Sequence, residues 1–191
     1  MFNRNNENAK LSFLSLLASS ALVLGGIAFV APANAVQFSN GETAFNSPPT
    51  LIDSDTDSLT LDRATTYYFT VKVPENAGKP LKSLQIKQTS NIDPVEFVAN
   101  ESRAYFGNGL SGAATIALAS VGGESPARGN ASVVFAEPIA PGKTVTIAIR
   151  AKNNLSNGGS GVYLFGVTAF PEGQTSRGQF LGFGRLHFYN Q

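Results

Sequence analysis

The chain contains no cysteine and no tryptophan, and it has a single histidine, His187. Without cysteine there is no disulfide, no thiol nucleophile, no thiolate metal site and no redox pair. A Ser-His-Asp hydrolase would have to use His187 as its base. The motif that presents such a serine, Gly-x-Ser-x-Gly, is absent, since Gly158-Gly159-Ser160-Gly161 is followed by Val162. His187 is therefore expected to be an ordinary strand histidine. Beyond the N-terminus no segment carries an apolar stripe of helical period.

The long uncharged run lies at the N-terminus. Arg4 and Lys10 precede Leu11–Val30, where Leu14, Leu16, Leu17, Leu22, Val23, Leu24 and Ile27 supply the apolar weight, and Ala33-Asn34-Ala35 follows. A basic start, an apolar middle and a small-x-small site describe a cleavable secretory signal. Residues 1–35 are read as that signal peptide and residues 36–191 as a single domain. Ser12, Ser15, Ser19, Ser20, Gly25 and Gly26 weaken the run as a retained membrane anchor. The expected destination is the periplasm or the cell exterior, with no transmembrane segment after cleavage. Lipidation needs a cysteine and a twin-arginine signal needs a neighbour for Arg4; both are missing.

Trimming the leader leaves twelve basic and twelve acidic side chains. A neutral domain lacks the electrostatic footprint of a nucleic-acid binder. At this length, folding buries roughly two-thirds of the unfolded surface, which suffices without covalent staples.

What is present is period two. Tyr67, Phe69, Val71 and Val73 alternate with polar residues in Thr66–Val73, and Val145, Ile147, Ile149 and Ala151 do so in Thr144–Lys152. Weaker runs cover Leu81–Gln88, Val95–Val98, Ala114–Ser120, Ala131–Phe135 and Val162–Phe170. Turn residues separate them at Pro74–Gly78, Gly107–Gly112, Gly122-Gly123, Pro141–Lys143 and Asn157–Gly159. The fold class is all-β: an antiparallel β-sandwich of about seven to nine strands, immunoglobulin-like in general architecture but without the cysteine and tryptophan of the antibody core. Strands of a membrane barrel run to about 9–11 residues, longer than most of these. Pro48-Pro49 bars Phe45–Ile52 from a central strand, so it reads as an edge strand or a leading arm.

Several constellations bear on chemistry. Gly107-Asn108-Gly109-Leu110-Ser111-Gly112 has the letters of a dinucleotide fingerprint, but no helix follows to hold a pyrophosphate, so it reads as a turn. Asp53, Asp55 and Asp57 have the spacing of a calcium loop, yet Ser58 and Ala64 stand where the glycine and the bidentate glutamate belong. They are expected to form a solvated loop, with weak calcium binding the alternative. Asn100, Asn130 and Asn154 begin Asn-x-Ser sequons. In Phe180–Tyr189, one face carries Phe180, Gly182, Gly184, Leu186 and Phe188, and reads as a core edge whose glycines admit close neighbours. The other carries Leu181, Phe183, Arg185, His187 and Tyr189. Its mixture of aromatics with Arg and His is that of contact hot spots, and the alternative is that Phe183 and Tyr189 pack beneath Pro171–Gln179. Phe183, Arg185, His187 and Tyr189 are the candidate binding residues.

The C-terminal third, Tyr163–Pro171 with Gly178–Tyr189, resembles the cyanobacterial domain-of-unknown-function family DUF 2808. Tyr67-Tyr68-Phe69 leading into Pro74–Gly78, and Pro141–Ile147, fit the same family. The resemblance implies a cyanobacterial source with a periplasm, and it implies no catalysis. With no cofactor indicated, the leading expectation is a non-catalytic envelope module that binds envelope polysaccharide or an envelope protein. One alternative is a hydrolase of envelope polysaccharide or peptide, drawing a carboxylate pair from Asp93, Glu96 or Glu101. Another is a structural subunit that self-associates through sheet edges, with Phe45–Ile52 as the donor.

Overall fold

The structure is a computed structural model that describes residues 41–89, 93–108, 113–122, 128–155 and 159–189. The leader read at residues 1–35 lies outside them, as do residues 109–112 and 123 and the 157–158 part of the last glycine turn.

In chain order the strands are β1 Glu42–Thr43, β2 Thr50–Thr56, β3 Thr65–Lys72, β4 Leu81–Gln88, β5 Phe97–Phe106, β6 Thr115–Ile116, β7 Leu118–Val121, β8 Asn130–Ile139, β9 Thr144–Ala151, β10 Gly161–Pro171, β11 Thr175–Ser176 and β12 Gln179–Phe188. Nine of these strands have four or more residues, and no helix occurs among the described residues. Two five-stranded antiparallel sheets, ordered β12-β10-β4-β8-β7 and β2-β3-β9-β5-β6, pack together, beside a short parallel pair, β1-β11. The sandwich is as the alternation predicts.

Alternation also accounts for the core. Tyr67, Phe69 and Val71 of β3 and Val145, Ile147 and Ile149 of β9 are buried from one sheet. Leu84 and Ile86 of β4, Phe165 and Val167 of β10, and Leu186 and Phe188 of β12 are buried from the other. The Tyr67 ring meets Phe165 at 5.2 Å and Phe188 at 5.8 Å between centroids. Each such side chain contributes about 1.5–3 kcal/mol by leaving water, and this takes the place of the missing cross-links.

Both open sides of the sandwich are closed. On one side β12 runs against β2, where the Arg185 amide donates to Ser54 Oγ at 3.0 Å. Gly184 makes this approach possible: a Cβ there would stand 2.7 Å from Phe69 Cε1 and 3.1 Å from Ser54 Cβ. On the other side Thr115–Val121 changes sheets, since β6 pairs with β5 and β7 with β8.

Three expectations are corrected. Phe45–Ile52 is divided: Phe45 is buried in the core, Asn46 donates its amide to the Ala77 carbonyl at 2.9 Å, and the edge strand β2 starts only at Thr50. Asp53 and Asp55 belong to that strand and not to a loop, because β2 continues pairing with β3 through Thr56. Val95–Val98 is the start of a longer strand: β5 reaches Phe106, and extra residues between Val98 and Arg103 bulge away from β9, which hides the strand from a period-two reading.

Candidate functional site

Strand β12 pairs with β10 along its length, but the register shifts between Val167 and Thr168. Val167 faces Gly182 and Thr168 faces Phe180, leaving Leu181 as the inserted residue. Gly182 takes φ of +129°, a conformation open chiefly to glycine. An inserted residue moves everything beyond it to the opposite face. From Phe183 onward the faces are as expected: Gly184, Leu186 and Phe188 point inward, and Phe183, Arg185 and His187 outward. Before the bulge they are exchanged. Phe180 is 51% exposed and stands beside Phe183, while Leu181 packs on the core.

The exchange builds a groove. Phe180 and Phe183, 48% exposed, meet edge-to-face with centroids 5.1 Å apart. They flank Gly166 of β10, where a Cβ would lie 3.3 Å from one ring and 3.5 Å from the other. With Thr168 of β10 and Gln85, Lys87 and Thr89 of the β4 side, they enclose a groove of about 390 Å³ on the outer face of the sheet. That is within the range of small-molecule sites, about 300–1,000 Å³.

Of the four candidate binding residues, only Phe183 lines this groove. Arg185 and His187 follow it along β12, opposite Leu164 and Val162. Tyr189 lies beyond the strand, 52% exposed, with its amide bonded to the Leu59 carbonyl. Successive residues of a strand rise about 3.4 Å, so the four make a row about 20 Å long and not a convergent cluster. Phe183 and Tyr189 are about half exposed, so Pro171–Gln179 does not cover them. Sequence reading missed Phe180, Gly166, Gln85 and Lys87; the glycine at 182 was the one mark of the bulge.

The acidic residues do not converge. Asp53, Asp55 and Asp57 project outward at every second position of β2 and just past it. Asp53 and Asp55 accept from the next backbone amide at 2.9 and 2.8 Å, and Asp57 accepts from the Tyr68 hydroxyl at 2.7 Å. Burial, reinforced by that bond, pushes the Tyr68 phenol up to about 12. No group of three His, Cys, Asp or Glu with metal-holding geometry occurs among the described residues.

Asp93 and Glu96 do share a cleft, lined also by Arg128 and Lys152, but it holds only about 100 Å³. Glu96 is paired with Lys152 at 3.4 Å, and Glu101 is on β5, paired with Arg150 at 3.5 Å. A larger hollow of about 530 Å³ lies between Ala99–Arg103 and Ile116–Val121. Its described lining mixes aliphatic side chains with Asn100, Ser102 and Ser120, and the cation among them, Arg103, already bonds the Asn100 and Ser102 carbonyls.

A family described as "Protein of unknown function (DUF2808)" matches residues 42–188, from the first residue of β1 to the last of β12. The chain belongs to this family. The match takes in both sheets and the whole groove. Comparison with curated protein sequences gives no match. Among solved structures, the "N-terminal domain of the Streptococcus gordonii adhesin Sgo0707" is similar at 15% identity and a TM-score of 0.44, over 76% of this chain and 33% of that one. The chain thus spans about a third of the length of that structure's chain.

Proposed function

We propose that the protein is an exported, non-catalytic binding module of the cell envelope, working in the periplasm or at the cell surface, and that the outer face of β12, β10 and β4 holds its ligand. The supporting observation is the Phe180–Phe183 pair: two large rings left half in water at the rim of a groove with a glycine floor. Exposed aromatics grouped around a concavity are costly to solvate and are the usual anchors of contact surfaces. The apolar leader supports export, and the family likeness supports a cyanobacterial envelope as its setting.

The decisive experiment is retention of the purified protein on isolated cell envelopes. Replacing both phenylalanines (Phe180→Ala with Phe183→Ala) is expected to weaken retention by about thirtyfold or more, the scale of losing a hot spot. Unchanged retention would overturn the assignment. Release of polymer fragments during the incubation would favour the hydrolase reading, for which the cleft at Asp93 and Glu96 offers well under the volume of an ordinary ligand pocket.

A further inference from the structure

The charge on the groove's sheet is one-sided. Its strands bring Lys82, Lys87 and Arg185, against a single acid, Glu137. Lys82 is committed, with its ammonium on the Phe135 carbonyl at 3.0 Å. Lys87 pairs across the sheet with Gly166 on one side and Asn130 on the other. It therefore flanks the same glycine as the two rings. It is exposed, and no carboxylate is paired with it among the described residues. Glu137 lies in the bulge of β8 opposite the Leu81–Ser83 end of β4, about five residues or roughly 17 Å along the strand from Lys87. Among the described residues the groove is thus lined by one cation without an ion-pair partner, no acid, an aromatic corner, and hydroxyl and amide groups from Thr89, Thr168 and Gln85.

Resting on the binding role proposed for this face, we infer that the groove takes an anionic polysaccharide, with one sugar ring seated against Phe180 and Phe183 and its acid group at Lys87. A pyranose ring presents C–H bonds on its faces and hydroxyls around its rim. The C–H hydrogens carry partial positive charge and are drawn to the negative faces of aromatic rings. The rim hydroxyls need donors and acceptors, which Gln85, Thr89 and Thr168 supply. An acid group beside Lys87 gains a charge-assisted hydrogen bond, the stronger for being sheltered by the two rings. A protein partner fits less well. An added strand needs a free sheet edge, and the edge of β12 is covered by β2.

The test is affinity electrophoresis of the purified protein through gels containing polygalacturonate or the same polymer after carboxyl reduction. Binding to the acidic polymer is expected to be about tenfold tighter than to the neutral one, and to weaken as salt is added. Lys87→Gln should bring the two to parity. Phe180→Ala with Phe183→Ala should remove both. Lys143→Gln, in the exposed turn before β9, should change neither. Equal binding of both polymers by the unaltered protein, or a preference that survives Lys87→Gln, overturns the inference. If neither polymer binds while envelope retention still depends on the two phenylalanines, the ligand class is wrong and the binding role stands. If that dependence is missing too, both fall.

Discussion

Tyr67 is wholly buried and still carries a hydroxyl, so its partner matters. The hydroxyl donates to Asn154 Oδ1, and the same amide donates through Nδ2 to the Thr60 carbonyl at 3.0 Å. The Asn154 backbone also exchanges bonds with Arg63 and Asp62. One buried amide therefore ties β3 to the loop before it and to the loop after β9. Tyr67→Phe leaves Asn154 Oδ1 without its donor and is expected to cost about 1–3 kcal/mol in urea unfolding at neutral pH. Burial pushes the Tyr67 phenol far up, with nearby Asp93 and Tyr163 adding to the effect. The unfolded phenol ionises near 10, while the folded one keeps its proton. The stability linked to this group is therefore complete below about pH 10 and declines as pH rises above it. Tyr68, pushed to about 12, adds to the same decline. Tyr67→Phe should thus start less stable and lose less between pH 10 and 12 than the unaltered protein; equal losses would contradict this. Burial of Asn154 also means that its sequon is closed to a glycan in the folded domain, whereas Asn100 is exposed.

Strand β12 shows how much of an element can be read from alternation. From Phe183 to Phe188 the period-two reading assigns every side chain to its proper face, and Gly184 sits where a close neighbour requires it. Phe180 and Leu181 are misassigned, because alternation assumes an unbroken register and an inserted residue leaves almost no trace in composition. The partners of Phe180 are harder still to foresee. Lys87 and Gly166 are far apart in sequence, and nothing in either segment says that β4 lies beside β10. The fold class was legible because burial repeats along every strand; the groove was not, because it depends on one insertion and on strand order. Two glycines separate fold from site. Gly184→Ala drives a methyl into the buried Phe69 ring at 2.7 Å and should cost about 1–3 kcal/mol by overpacking. Gly166→Ala meets the exposed Phe180 ring at 3.3 Å, which has solvent to swing into. Stability should stay within about 0.5 kcal/mol, while envelope retention falls as the groove fills. Thermal melts of both variants beside the retention measurement check the contrast.

At the scale of the whole molecule, a neutral sandwich without cysteine is held by its apolar core and by the closure of both open sides, through β12 on β2 and through the segment that changes sheets. With no cysteine, no disulfide of its own links its stability to the redox state of its surroundings. Its route is expected to show in its mass: protein recovered from the envelope or medium should begin at Val36, as read by intact-mass spectrometry, and material that still carries Met1 would contradict the export reading. The row formed by Asp53, Asp55 and Asp57 has a further consequence at this scale. A second copy that approached the closed β2–β12 seam would meet these carboxylates first. Around a twofold axis, one file of carboxylates would then confront its twin. Because residues 36–191 carry no formal net charge, this short file of like charge is what opposes edge-to-edge contact there.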